Sequence, residues 1–263
     1  MKQMLEVLEG IYEDAELRQS CIPLFLGNPG LGKTQIIKQF AKSKNAHVVE
    51  RIGSTIMPNE VAGLAMPDDD TKLMTYFDFD AFLAMKDGDI LLLDELLNTM
   101  PMVLNAMLTL LENRTLQSGK KLANIMIVAA ANPQGASMLT PQIKQRFIWY
   151  DVKFDENLWG EYMYKKGLID PILIELSTLI KNENFENSRY NYFTPRSIDR
   201  AIEMLIKGAP TPYYKDLSAI LNKLVSNDTD QTIPVGDYNW EPNEKISWLD
   251  LKKKEYLFNK QKK

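Results

Sequence analysis

Eight consecutive residues near the start of the chain have the types and spacing that bind a phosphate chain. They read Gly27-Asn28-Pro29-Gly30-Leu31-Gly32-Lys33-Thr34, a complete match to the pattern G-x-x-x-x-G-K-S/T. The glycines allow the backbone to curl so that its N–H groups point at phosphate oxygens. Lys33 supplies a cation for the β and γ phosphates, and the Thr34 hydroxyl is a ligand for Mg²⁺. The segment therefore predicts a site for a nucleoside triphosphate with magnesium.

Two adjacent carboxylates, Asp94 and Glu95, follow the apolar run Ile90–Leu93. The first acid after a buried strand can hold the Mg²⁺ shell beside a phosphate loop. The second can act as a general base that polarises water for in-line attack on the γ phosphate. Without the phosphate loop, an acid that caps a following helix would explain the pair equally well. With the loop, Glu95 favours hydrolysis over transfer to an organic acceptor.

Asn132 follows another apolar run, Ile125–Ala131. A polar side chain at the end of that strand is expected to lie near the γ phosphate and to orient the attacking water. Taken alone, Asn132-Pro133 is also typical of a simple turn. The interpretation therefore depends on the other two motifs.

Five short apolar runs in the first 150 residues predict the strands that position these groups. Continuous apolar runs suit strands that are buried on both faces of a parallel sheet. A helix is expected over Pro101–Asn113, between the third and fourth runs. The pattern predicts an α/β domain with a parallel five-stranded sheet. The runs are Ile22–Leu26, His47–Ile52, Ile90–Leu93, Ile125–Ala131 and Phe147–Val152.

After Asp155 the pattern changes to helices alone. Asp170-Pro171 and Thr194-Pro195 each combine an N-cap with a first-turn proline, and a third helix is expected over Tyr214–Val225. We therefore predict an α/β core over 1–154, a small all-α lid over 155–227 and a polar, lysine-rich tail over 228–263. The tail is expected to be solvated, with contact to an acidic partner or nucleic acid as the alternative.

Composition excludes several classes of protein. The 263 residues carry 31 basic and 35 acidic side chains, and this net charge of −4 disfavours a strongly basic nucleic-acid binder. One cysteine and one histidine exclude a disulfide framework and a His/Cys metal site. No apolar run reaches the roughly 18 residues of a membrane span, and the first residues lack the apolar core of a signal peptide. We expect a soluble, cytoplasmic protein that is not bound to a membrane.

These motifs, in this order, resemble those of AAA+ ATPases. The segments that carry the resemblance are GNPGLGKT, LLLDE, AAANP, QRF and TPRS, and together they cover roughly residues 10–210. Within the family the chain is most similar to the MoxR branch, which is related to metal-chelatase subunits and dynein-type modules. Residues 51–70 resemble the insertion in the second helix of that branch, with Asn59-Glu60-Val61-Ala62-Gly63 in place of its D-L-x-G pattern.

The resemblance implies roles for three polar residues. Asn132 falls on the sensor 1 position, and Arg146 falls on the arginine finger that acts on the ATP of a neighbouring subunit. Arg196, at the start of a lid helix, falls on sensor 2. A fixed guanidinium suits the charge that develops on the γ phosphoryl oxygens. The alternatives are a solvated arginine at a helix end for Arg146 and an ordinary helix-start residue for Arg196.

The resemblance also implies an assembly and a partner. It predicts a ring, most often of six subunits, that hydrolyses ATP with Mg²⁺ and remodels a protein as a chaperone. Many relatives work beside a protein with a von Willebrand factor A domain. The segments Met74–Phe79 and Thr115–Asn124 would then form loops or hairpins at the pore, although a packed hairpin is equally expected for the first. The alternatives are an AAA+ motor or loader that acts on DNA and a monomeric P-loop kinase.

Overall fold

The computed structural model describes residues 2–133, 139–165, 176–178, 180 and 193–207. The chain divides into two compact units, Met1–Lys153 and Phe154–Lys263. This division lies next to the predicted boundary between core and lid. The predicted helix 214–225 and the tail 228–263 lie outside the described residues, and the separation of tail from lid stays a prediction.

The first unit is built on a five-stranded parallel sheet. Its strands are β1 Pro23–Leu26, β2 Val48–Ile52, β5 Ile90–Asp94, β6 Met126–Ala131 and β7 Ile148–Asp151. They lie side by side in the order β2-β5-β6-β1-β7, and each neighbouring pair is parallel. Each of the five predicted strands is confirmed, with its ends within one residue of the expected position.

Helices cover both faces of this sheet. Leu91 and Leu92 project to opposite faces of β5, and both are 0% exposed. The predicted helix over Pro101–Asn113 is present with those bounds and buries five apolar side chains. Burial on both faces explains why the strands are continuous apolar runs. The helices of this unit are α1 Lys2–Glu13, α2 Ala15–Ser20, α3 Lys33–Ser43, α4 Pro58–Ala62, α5 Asp80–Leu83, α6 Pro101–Asn113 and α7 Pro141–Lys144, with a 3-10 turn at Leu96–Asn98.

A separate antiparallel hairpin, β3 Leu64–Asp68 and β4 Leu73–Phe77, lies outside the main sheet. Of the segment Met74–Phe79, for which the sequence leaves a pore loop and a packed hairpin as alternatives, residues 74–77 lie in β4. The hairpin is present but not packed, since all residues of its two strands except Asp68 are exposed. The residue after β4, Asp78, contacts the turn within 115–124 through Ser118 Oγ at 2.6 Å and Lys120 Nζ at 3.2 Å. The two predicted loop segments are therefore in contact.

The second unit is helical in its described residues. Helix α8 covers Glu156–Lys165 and α9 covers Pro195–Ile206. Thr194 caps α9 as predicted: its Oγ1 accepts from the N–H of Ser197 at 3.1 Å, and Ser197 Oγ accepts from the N–H of Thr194 at 2.9 Å. Of the helix predicted after Pro171, residues 176–178 and 180 are described, and they are helical. In the described parts of both units, no helix has the length and apolarity needed to cross a membrane.

Candidate active site

Three neighbouring strands end at the site. Strands β5, β6 and β1 are adjacent and parallel, so their carboxyl ends meet at one edge of the sheet. Asp94 ends β5, Asn132 follows β6, and Gly27 follows β1. Ligand sites of open α/β sheets form at this edge. The structure thus brings the phosphate loop into contact with the other two motifs, although 60 residues of chain separate Thr34 from Asp94 and 99 separate Lys33 from Asn132.

The phosphate loop bends from β1 directly into α3. The N–H of Gly27 donates to the carbonyl oxygen of Ala131 at 3.2 Å, and a Cβ on Gly27 would lie 2.5 Å from the carbonyl oxygen of Val152. Gly30 and Gly32 have φ values of 79° and 93°, which favour glycine. No side chain caps the start of α3, whose 11 residues begin at Lys33. The N–H groups of that first turn can therefore bind an anion.

Lys33 lies under the loop and contacts Asn132. Its side chain is buried, and Nζ donates to the carbonyl oxygens of Gly27 at 2.6 Å and Asn28 at 3.0 Å. Nζ also donates to Oδ1 of Asn132 at 3.1 Å. The predicted phosphate-binding cation and the predicted water-orienting amide are thus direct neighbours.

Thr34 and Asp94 form an oxygen-rich pair beside them. Thr34 Oγ1 donates to Asp94 Oδ2 at 2.6 Å, while Asp94 Oδ1 accepts from the N–H of Glu95 at 2.9 Å. A hydroxyl and a carboxylate are the hard oxygen donors that Mg²⁺ prefers, and its remaining ligands come from phosphates and water. The chemistry of these two donors fits the predicted metal.

Glu95 is held by residues that sequence analysis missed. Its backbone is left-handed, with φ 52°, a conformation that costs roughly 1 kcal/mol in a non-glycine residue. Its Oε2 accepts from Ser54 Oγ at 3.0 Å. Gly53 lies against the Glu95 backbone, because a Cβ there would be 2.5 Å from the Glu95 carbonyl oxygen. Their position in the sequence could have indicated this contact, because residues 53 and 54 directly follow β2, which pairs with β5.

Arg146 does not join this cluster within one chain. It lies between α7 and the start of β7, and β7 begins opposite Pro23, the first residue of β1. Arg146 is therefore at the amino edge of the sheet, while the phosphate loop is at the carboxyl edge. Its guanidinium pairs with Glu112 instead, with Nη2 2.8 Å from Oε1.

Arg196 lies in the second unit. It is exposed in the first turn of α9, directly after Pro195, as the sequence predicts. Its predicted action on the γ phosphate stays a prediction.

Comparison with known proteins gives a family match for the first unit. Residues 23–147 match the family model described as the AAA domain of the dynein-related subfamily. Two uncharacterized proteins of Methanocaldococcus jannaschii are each 26% identical over 133 residues, which is 49% of this chain. The chain spans only about a third of the length of these relatives, 33% of one and 34% of the other.

Solved structures show the same fold. RuvB of Thermotoga maritima, described as a Holliday junction branch migration motor, aligns with a TM-score of 0.55 and 15% identity. The alignment covers 85% of this chain and 69% of that one. A proline-to-glycine mutant of the same protein aligns with a TM-score of 0.56 and 14% identity, over 85% of this chain and 70% of that one. Residues 23–147 are thus similar to AAA domains, and the solved structures share the α/β P-loop NTPase fold of this chain.

Proposed function

We propose that this chain binds ATP with Mg²⁺ at the carboxyl edge of its sheet and hydrolyses it to ADP and phosphate. The observation that carries the proposal is the convergence of two contacts from three adjacent strand ends. Lys33 meets Asn132 at 3.1 Å, and Thr34 meets Asp94 at 2.6 Å. Glu95 follows Asp94 directly, so a potential general base lies next to the Thr34–Asp94 pair.

Each of these residues has a separate role in the proposed reaction. The loop N–H groups and Lys33 bind the β and γ phosphates, and Asn132 orients the attacking water. Glu95 accepts a proton from that water while the water oxygen attacks the γ phosphorus, in line with the leaving ADP oxygen. Thr34 and Asp94 would hold Mg²⁺, which neutralises phosphate charge when it is bound.

The position of Arg146 supports action on a second copy of the chain. Strand β1 has four residues and rises about 3.3 Å per residue, so its amino and carboxyl ends are roughly 10 Å apart. A side chain at the amino edge is remote from the loop of its own chain, whereas a ring interface can bring it to the loop of a neighbour. We therefore propose a homo-oligomeric ring, with six subunits as in the family, in which Arg146 acts in trans.

Mixing two inactive variants tests both the reaction and the shared site. Arg146→Ala removes the donated cation, and Glu95→Gln removes the base. Each variant alone should be nearly inactive. A mixture should regain turnover at those interfaces where an Arg146→Ala subunit supplies Glu95 and its Glu95→Gln neighbour supplies Arg146. Specific activity of the wild type should also rise with protein concentration. Turnover by a monomer that is independent of concentration would overturn the trans arrangement and support the kinase alternative.

The partner is proposed to be a protein, as in MoxR-like chaperones that work beside a von Willebrand factor A domain. The exposed apolar hairpin of β3 and β4 and the net charge of −4 support this choice. The alternative is DNA, on which the structurally similar branch migration motor acts. Stimulation of ATP turnover by an unfolded polypeptide would support the protein partner. Stimulation by duplex DNA, with affinity that falls as salt rises, would support the alternative.

A further inference from the structure

The ion pair between Arg146 and Glu112 joins two elements of the amino edge. The nitrogen Nη2 lies 2.8 Å from Oε1, and the two side chains are 36% and 45% exposed. Glu112 is in the last turn of α6, and Arg146 lies between α7 and β7. Both side chains are thus accessible enough to meet a neighbouring molecule.

Glu112 occupies an unfavourable place in its own helix. The carboxyl end of a helix carries partial negative charge, so an acid there destabilises α6 unless a cation is near. The closest arginine along the chain is Arg114, but its Nε and Nη2 donate to the carbonyl oxygens of Gln19 and Arg18 at 3.0 and 3.2 Å. Burial lowers the pKa of Arg114 to about 10, which leaves it charged at neutral pH. The partner of Glu112 is Arg146.

The backbone of Arg146 is held, but its side chain is long. Its neighbours Ile143 and Phe147 are 1% and 5% exposed, and its N–H donates to the Ile143 carbonyl oxygen at 3.1 Å. These contacts hold the Cα atom only. An unpaired arginine side chain samples many rotamers, and part of this freedom is lost whenever the guanidinium is ordered.

We propose that Glu112 is a positioning residue for Arg146, which orders the guanidinium before the neighbouring subunit binds ATP. This inference rests on the proposed function, because it assumes that Arg146 acts in trans. The ion pair joins Nη2 to one carboxylate oxygen, and the Arg146 side chain is 36% exposed, so the pair leaves room for the guanidinium to contact a phosphate oxygen as well. Glu112 acts only through Arg146 and touches no substrate.

Glu112→Gln tests this with a matched control. The expected result is a kcat for ATP that falls about two- to five-fold with KM unchanged, the range expected for an exposed ion pair. The control is Glu50→Gln, since Glu50 also forms a 2.8 Å ion pair, with Lys38. It should leave kcat unchanged. In an Arg146→Ala background, Glu112→Gln should cause no further loss, because the residue acts through the arginine.

Glu112→Lys separates positioning from folding. A lysine in the last turn of α6 favours the helix dipole, so the melting temperature should hold or rise while repulsion of Arg146 lowers kcat about tenfold. A mixture of this variant with Glu95→Gln should regain turnover. A mixture with Arg146→Ala should not, since both changes affect the side of the interface that donates the arginine.

The outcomes distinguish the two proposals. If Arg146→Ala lowers turnover but Glu112→Gln matches or exceeds the wild type, the positioning role is overturned and the proposed function stands. If mixing Glu112→Lys subunits with Arg146→Ala subunits restores ATP turnover, Glu112 does not act through that arginine. If the wild type has no ATPase activity, or Arg146→Ala retains full activity, the proposed function fails and the inference fails with it.

Discussion

The hydroxyl oxygen of Thr34 lies 2.6 Å from Oδ2 of Asp94, although 60 residues separate the two in sequence. The contact joins the first turn of α3 to the end of β5. If the pair holds Mg²⁺, Thr34→Val should weaken ATP binding by about 1–3 kcal/mol with magnesium and much less in EDTA. Titration with a fluorescent ATP analogue measures both values. Ser43→Ala, on the same helix, is the control, and an equal loss in both buffers would mean that the contact is structural.

Substitutions of Lys33 and Glu95 should affect different steps, the first ATP binding and the second ATP hydrolysis. Lys33→Ala should weaken ATP binding about tenfold or more, because it removes the buried cation beside the loop. Glu95→Gln should retain binding and lower kcat by about 10²–10⁴, because an amide does not accept the proton. Equilibrium binding and steady-state turnover distinguish them, with Lys38→Ala on α3 as the control. Wild-type turnover of Glu95→Gln would remove that residue from its proposed role.

The hydrogen bond from Ser54 should restrain Glu95. Oε2 of Glu95 accepts from Ser54 Oγ at 3.0 Å, and this hydrogen bond must break before Oε2 can accept a hydrogen bond from the attacking water. Ser54→Ala should therefore raise kcat about two- to ten-fold, as expected for losing about 0.5–1.5 kcal/mol. Single-turnover kinetics isolate the chemical step. A lower rate would mean that Ser54 holds Glu95 in its productive orientation.

Gly53 should tolerate no side chain. A Cβ would lie 2.2 Å from Thr99 Oγ1 and 2.5 Å from the Glu95 carbonyl oxygen, and the carbonyl belongs to backbone that has little room to move. Gly53→Ala should lower the free energy of unfolding by roughly 1–3 kcal/mol and reduce kcat with it. Urea unfolding measures the first effect. Gly10→Ala is the matched control: no atom lies within 4 Å of its Cβ, so in helix α1 it should stabilise by up to about 1 kcal/mol.

Arg196 should discriminate between nucleotides. If Arg196 acts on the γ phosphate, as the sequence predicts, it makes a contact that ADP does not offer, and Arg196→Ala should weaken binding of an ATP analogue more than of ADP, by about 1–3 kcal/mol. Arg200→Ala is the control, since Arg200 is also exposed on α9. Equal losses for both nucleotides would assign Arg196 to the helix surface alone.

The sequence by itself determined the sheet and the chemical groups of the site. Strands buried on both faces are continuous apolar runs, so β5 and β6 were predictable within one residue. The phosphate loop was equally readable, because Gly30 and Gly32 adopt positive φ and few other residues would serve there. These features depend on a residue's own backbone or on its immediate neighbours.

Only the tertiary structure decided which groups meet. Sequence analysis assigned no role to Ser54 or Glu112, because each acquires its partner across 41 or 34 residues of chain. It also left a packed hairpin and a pore loop as alternatives for Met74–Phe79, because the apolar composition of β4 resembles that of a buried strand although its side chains are exposed. Local patterns report which side chains are apolar or charged. Contacts between distant segments depend on strand order and helix placement, which no short window of sequence contains.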